Sequence, residues 1–177
     1  MQSDAVERIL PLLTDSEADV YRRARWLVNT KDLIYGFLTG VYGRSDYSDA
    51  SLTIALDINN RCWATELLGE LKLDAERMPK LLVGHDVRGK ITRAAYRQTG
   101  LIAGTPVAIG GGDGACTARG AGVTDPGSAY CYIGSSAWVS QILEKPVLDP
   151  RARIFNYLDL DGESYHVCGT VQCGAAA

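Results

Sequence analysis

The carboxylate of Asp113 follows three glycines, and this arrangement is the strongest chemical signal in the sequence. Residues 106–109, Pro-Val-Ala-Ile, form an apolar run that predicts a buried strand, and Gly110, Gly111 and Gly112 come directly after it. Glycines let the backbone turn sharply and let a ligand approach closely. A carboxylate at such a strand end can take a proton from a substrate hydroxyl while that oxygen attacks phosphorus. Asp is also a favoured helix N-cap, so a general base and a cap are both open interpretations.

The same loop also fits a dinucleotide-binding turn, because residues 110–115 follow the pattern GxGxxA between a strand and a helix. That fingerprint requires an acidic residue about 20 positions further on, and residues 126–143 contain no Asp or Glu. Asp113 would also place negative charge beside a pyrophosphate, which such loops bind with free amides. The sequence therefore favours proton abstraction over dinucleotide binding.

The turn Gly134-Ser135-Ser136 is a second candidate site, lying between two apolar runs. Backbone amides and hydroxyls in such a turn can hold phosphate oxygens. The same residues equally fit a plain hairpin turn. The pattern leaves both interpretations open.

Helices dominate the predicted elements before Asp125. They are expected from a capping box at 14–17, at about 31–40, at 65–71, at 92–100 and after the glycine turn. Residues 44–49 are predicted to be a polar loop. In the first helix, the helical spacing places Val20, Ala24 and Leu27 on one face. In the second helix, the residues expected to face inward are Leu33, Ile34, Phe37 and Leu38.

Strands dominate the predicted elements after Asp125. They are expected at 129–133, 137–143, 154–158 and 165–169. The change in character predicts a boundary near 123–127, with one domain over 1–123 and another over 124–177. The fold class is therefore α/β, with a helix-rich first half and a strand-rich second half.

The composition is that of a soluble globular chain. The 177 residues carry a net charge of −3 and are 46% hydrophobic, which argues against nucleic-acid binding, and no apolar run approaches the ~20 residues of a membrane span. No secretory signal is visible. Five cysteines without CxxC spacing and two histidines argue against a zinc site. We expect a cytoplasmic protein with reduced thiols, no metal-binding residues, and no nucleic-acid or membrane partner.

The order of short motifs along the chain resembles the FGGY family of carbohydrate kinases, in particular its xylulokinase-like members. The resemblance runs from about Leu10 to the last residue. Its carriers are residues 31–33, 38–40, 45–51, Asp57, Trp63, 100–101, 104–107, 110–113, 120–122, 126–127 and 134–136. Each motif is weak alone, but their common order makes the resemblance specific.

The resemblance implies a two-domain fold of the actin-like, ribonuclease-H-like kind, with ATP and a sugar such as a pentulose between the domains. It implies that Asp113 is the catalytic base and that Asp113 and Gly112 contact the sugar. It also implies that Gly134, Ser135 and Ser136 contact ATP phosphates, with Mg²⁺ present in the complete enzyme. The family usually has Thr where this chain has Ser135, so a hydroxyl is retained.

Several family segments have no counterpart here, including the DxGT-type phosphate loop on the first strand and the late adenosine site. We therefore expect an interior piece of a kinase, covering the end of the first domain and the start of the second, that is inactive alone. The alternative is a non-catalytic interaction module that forms homo-oligomers through an exposed sheet edge.

Overall fold

Short helices and strands alternate in the first part of the chain, and one four-stranded sheet forms the second part. The structure, a computed structural model, describes residues 18–134 and 136–171. The helices are α1 (Ala18–Arg23), α2 (Thr30–Thr39), α3 (Tyr47–Ser51), α4 (Thr65–Glu70), α5 (Arg93–Thr99) and α6 (Asp113–Gly120), with a 3-10 turn at Ala75–Arg77. The strands are β1 (Arg44–Asp46), β2 (Leu56–Asp57), β3 (Cys62–Trp63), β4 (Lys80–Leu82), β5 (Val87–Lys90), β6 (Pro106–Ala108), β7 (Ala129–Ile133), β8 (Ala137–Leu143), β9 (Ile154–Leu158) and β10 (Tyr165–Val171).

The helices expected at 92–100 and at about 31–40 end at their predicted glycines. The hydroxyl of Thr92 accepts a hydrogen bond from the Ala95 amide, and α5 ends at Gly100 in the left-handed region. Helix α2 likewise ends at Gly40, with φ of +74°. The capping box at 14–17 lies outside the described residues. Helix α1 already ends at Arg23, so the predicted face through Ala24 and Leu27 does not form, and Val20 is 52% exposed.

The inward face predicted for α2 is wrong. Leu33, Ile34 and Phe37 are exposed, and Leu38 is only half-buried. The buried side of this helix is instead Asp32, Tyr35, Gly36 and Thr39. Polar partners decide the orientation, since Asp32 closes a capping box with Asn29 and pairs with Lys31.

The predicted polar loop at 44–49 is instead a buried strand and helix start. Strand β1 pairs in parallel with β4, and α3 begins directly after it with Asp46 as its N-cap. Ser45, Asp46 and Ser48 are all at most 2% exposed. Residues 52–56, which the pattern left undecided between helix and strand, form the turn after α3 and the start of β2.

The apolar run before the glycines forms strand β6, but this strand is not buried as predicted. Pro106 and Ala108 are exposed, and Val107 is half-buried. The strand pairs antiparallel with β5 alone, in a two-stranded sheet. Only Ile109, at 2% exposure, enters the interior.

The second part of the chain is an antiparallel sheet with strand order β7-β8-β10-β9. All four strands lie where they were predicted, with β10 extending two residues further, to Val171. Strands β7 and β8 pair up to their terminal residues, Ile133 and Ala137, on either side of residues 134–136. Among the described strands, β7 and β9 are therefore the edges of the sheet. No helix among the described residues is long and apolar enough to cross a membrane.

The interior is shared between the two parts of the chain. Ala50 and Leu56 pack in one buried cluster with Leu158 and Tyr165 of the sheet. The Leu158 amide donates to Ser51 Oγ at 3.0 Å, and the Tyr165 hydroxyl donates to the Ile58 carbonyl. The position of the domain boundary at 123–127 stays a prediction.

Candidate active site

Asp113 is the first residue of α6, and its side chain is exposed. The N-cap position is occupied by Gly112, whose backbone is extended. Asp113 Oδ1 accepts a hydrogen bond from the Gly114 amide at 2.8 Å. The side chain thus satisfies one free amide of the helix start, and it reaches solvent from the end of the glycine turn.

The turn before Asp113 is fixed by a buried serine of the first part. The Gly112 amide donates to Ser48 Oγ at 2.9 Å, and the Ser48 hydroxyl in turn donates to Asp46 Oδ2. Asp46 is fully buried and also accepts from the amides of Ser48 and Asp49. We name Asp46, Ser48 and Gly112 the serine anchor. It holds the backbone one residue before Asp113.

Lys31 supplies the positive charge that this buried carboxylate needs. Its Nζ lies 2.5 Å from Asp32 Oδ1 and 3.1 Å from Asp46 Oδ1, and 4.0 Å from Asp49 Oδ2. Burial lowers the pKa of Lys31, but the charges and hydrogen bonds of Asp46 and Asp32 outweigh it and leave the pKa raised. Burial raises the pKa of Asp49, which is farther from the ammonium.

Close packing and backbone conformation explain why the residues before Asp113 are glycines. A side chain at Gly111 would place its first carbon 1.9 Å from Leu160 Cδ2 and 2.8 Å from Ser48 Oγ. Gly110 has φ of +82°, in the left-handed region that favours glycine. Gly112 is buried, and its carbonyl accepts the Cys116 amide. A side chain at Gly112 would place its first carbon 3.3 Å from Leu52 Cδ1 and 3.5 Å from the Asp49 backbone, so a glycine here lets the turn pack against α3.

The four-stranded sheet contacts the residue after Asp113. The Tyr130 hydroxyl donates to the Gly114 carbonyl at 3.0 Å, and Trp138 Nε1 donates to the same hydroxyl at 3.1 Å. A side chain at Gly114 would lie 2.7 Å from the Tyr157 hydroxyl. We name Tyr130, Trp138 and Gly114 the tyrosine anchor. Asp113 is thus the exposed residue between two anchored neighbours.

The second candidate site is a hairpin turn that the tyrosine anchor links to α6. Within it, the Gly134 amide donates to the Ser136 carbonyl at 2.8 Å, and Ser136 is half-buried. Ser135 lies outside the described residues. Tyr130 and Trp138 belong to the two strands that this turn joins, so the strands carrying the turn contact the first turn of α6.

The described residues do not form a magnesium site. No group of three or more His, Cys, Asp or Glu side chains among them is arranged to hold a metal ion. Asp32, Asp46 and Asp49 face Lys31 Nζ, which takes the place a cation would occupy.

Sequence reasoning missed Lys31, Asp46 and Ser48 as members of this site. All three lie in segments on which the family resemblance was based, 31–33 and 45–51, and that was the available signal. The polarity of Asp46 and Ser48 alone predicted a loop, because nothing local indicates that Gly112, 64 residues from Ser48, closes over them.

A family model and two sequence relatives connect this chain to carbohydrate kinases. The model of the N-terminal domain of the FGGY family of carbohydrate kinases matches residues 7–120. A xylulose kinase of Bacillus subtilis (strain 168) is 28% identical over 155 residues, 88% of this chain and 31% of the relative. An autoinducer-2 kinase of Yersinia enterocolitica is 34% identical over 147 residues, 82% of this chain and 27% of the relative.

Solved structures agree with these sequence relatives. The ligand-bound xylulose kinase from Lactobacillus acidophilus superposes with a TM-score of 0.84 at 27% identity, over 94% of this chain and 34% of that one. The predicted actin-like fold, represented in part, is confirmed by this neighbour. The chain spans about a third of the length of the relatives it matches.

Proposed function

Since this chain belongs to the FGGY family of carbohydrate kinases, we propose that the protein to which it contributes transfers the γ-phosphate of ATP to a hydroxyl of a sugar. The proposed sugar class is a pentulose such as xylulose, which the xylulose kinases among its relatives support. The proposed setting is the cytoplasm, without nucleic-acid or membrane partners.

The observation that carries the proposal is the exposed Asp113 carboxylate between two anchored backbone positions. One oxygen is held by the Gly114 amide, which leaves the other free to accept the proton of a sugar hydroxyl. Because the serine anchor and the tyrosine anchor fix its neighbours, the carboxylate is held in place for an in-line attack on phosphorus. Gly112, the residue before Asp113, is the second proposed sugar contact.

ATP is proposed to approach from the sheet side. Gly134, Ser135 and Ser136 are the proposed contacts to its phosphates, supplied by the hairpin turn between β7 and β8. Mg²⁺ would accompany ATP in the complete enzyme. Its chemistry is to neutralise the charge of the phosphates.

The isolated chain is proposed to be inactive, because phosphoryl transfer requires nucleotide, sugar and base to be positioned together. Purified residues 1–177 should therefore show no ATP-dependent phosphorylation of xylulose or other pentuloses. Robust turnover by this chain would overturn that part of the proposal.

The test of Asp113 uses a polypeptide extended to the length of its relatives. Asp113→Asn keeps the hydrogen bond from Gly114 but removes the base, and we expect turnover to fall by about 10²–10⁴-fold with ATP binding retained. Asp125→Asn is the matched control, because Asp125 is another exposed aspartate, just before β7, and this variant should keep full activity. Normal turnover of Asp113→Asn would refute the role of Asp113 as the base.

A second candidate function, a self-associating module, is favoured by the exposed edge strand β7. Cys131, Tyr132 and Ile133 on this strand are all exposed, Ile133 at 77%. An edge of this kind can pair with another copy of the chain. Sedimentation of residues 1–177 should then show an oligomer that Ile133→Lys disperses, and a monomeric wild type would rule this function out.

A further inference from the structure

A row of buried side chains crosses the four-stranded sheet and ends on α6. Ser140 Oγ lies 3.1 Å from His166 Nδ1, and His166 Nε2 lies 3.1 Å from Asp159 Oδ1. Ser140, Asp159 and His166 are all fully buried. The other oxygen of Asp159 accepts a hydrogen bond from Arg119 of α6. The row therefore joins the centre of the sheet to the helix that begins with Asp113.

The protons in this row can be placed from the chemistry of each group. Burial raises the pKa of Asp159, but the hydrogen bonds from His166 and Arg119 outweigh it and hold the pKa below its usual range. An ionised Asp159 only accepts, so His166 Nε2 carries a proton. In the neutral form of this tautomer, Nδ1 accepts a hydrogen bond from the Ser140 hydroxyl.

This Ser-His-Asp row is not a nucleophilic centre. All three side chains have no exposure, so no substrate reaches the Ser140 hydroxyl. The ring of Tyr157 stacks on His166, with centroids 4.7 Å apart and planes 6° apart, and covers the imidazole. The group that extends from the row towards the surface is Arg119, which is one-third exposed and lies 3.7 Å from Asp161.

We propose that Arg119 and Asp159 are positioning residues that lock α6, and with it Asp113, to the four-stranded sheet. Arg119 follows Asp113 by six residues on the same helix, which is about 9 Å along its axis. The serine anchor holds the start of α6, and the Arg119–Asp159 pair holds its last turn. His166 and Ser140 keep Asp159 in the orientation that meets Arg119. The link to catalysis rests on the proposed role of Asp113.

Hydrogen exchange on residues 1–177 tests the lock without any activity. In Arg119→Met, the amides of Cys116 and Val123, which donate within and just after α6, should exchange at least about tenfold faster through local opening. Amides of β8 and β10 should change far less. Arg119→Lys should restore part of the protection, and Arg97→Met, at an exposed position of α5, is the matched control.

Two outcomes would overturn the lock. One is unchanged exchange in α6, which means that the pair does not hold the helix. The other is an equal acceleration in α6, β8 and β10, which means a loss of global stability only.

In the extended kinase, Arg119→Met should lower kcat by at least about tenfold with KM nearly unchanged, because the base is misplaced while the binding groups remain. An unchanged kcat would overturn the positioning role. Activity of Asp113→Asn would instead refute the proposed base and leave the exchange result standing, so the two failures are distinguishable.

Discussion

Replacing Ser48 with alanine removes the hydroxyl that links the two parts of the serine anchor. In the native structure this hydroxyl accepts the Gly112 amide at 2.9 Å and donates to the buried carboxylate of Asp46. The variant leaves the Gly112 amide buried without a partner. Asp46 keeps Lys31 and two backbone amides, so its charge stays compensated.

The expected loss follows from these two hydrogen bonds. An unsatisfied buried amide costs about 1–3 kcal/mol, and a lost hydrogen bond to a charged group about 1.5–3 kcal/mol. Because Asp46 retains other partners, we expect the free energy of unfolding to fall by about 2–4 kcal/mol in total.

Urea unfolding of residues 1–177, followed by far-UV circular dichroism, measures this change. With a denaturant slope of about 2 kcal/mol/M, within the usual range for small proteins, the midpoint should fall by about 1–2 M. The matched control is Ser164→Ala, whose hydroxyl donates to Asp161 at 3.0 Å on a half-buried turn. The control should lose less than about 1 kcal/mol. An equal effect of the two substitutions would refute the anchoring role of Ser48.

Three further outcomes are expected. Gly111→Ala should destabilise the chain in urea by about 1–3 kcal/mol because its Cβ would clash, whereas Gly69→Ala, in open space on α4, should stabilise it by about 0.4–1 kcal/mol. The pKa of Asp159 is lowered in the folded chain, so this carboxylate adds stability above its unfolded pKa of about 3.9, and that stability is lost as the pH falls through the folded pKa. In Asp159→Asn, the free energy of unfolding should fall less steeply with decreasing pH in this acid range. An unchanged pH dependence would show that Asp159 is not responsible for it. Alkylation of the native chain, read by mass spectrometry, should modify the exposed Cys62, Cys116 and Cys131. Cys168 is buried, with its pKa raised to about 11, and should react only when the chain unfolds.

Local signals predicted the elements whose ends are set by neighbouring residues. Thr92 and Gly100 fix the ends of α5 through contacts within five residues. The pairing of β7 with β8 follows from two apolar runs on either side of residues 134–136. The glycine turn and the helix after it were likewise predicted. In these segments, propensity and capping chemistry are sufficient.

Long-range contacts decided the parts that local signals missed. Asp46 and Ser48 are polar, and only the closure of Gly112 and Lys31 over them makes burial favourable. In α2, the apolar residues that were predicted to face inward are exposed, because the buried Asp32, which closes the capping box with Asn29, turns the opposite face of the helix inward. The site was therefore predictable at Asp113 and unpredictable at its supports.

The serine anchor also has a consequence for the order of events as the chain folds. Ser48 bonds to Gly112, which is synthesised 64 residues later, and the nearby Ser51 bonds to the Leu158 amide, 107 residues later. Closing such long loops costs chain entropy before any contact compensates for it. On a ribosome, α3 would thus emerge long before its partners exist. The carboxylate proposed to start the chemistry gains its surroundings late, when the last strands of the sheet have arrived.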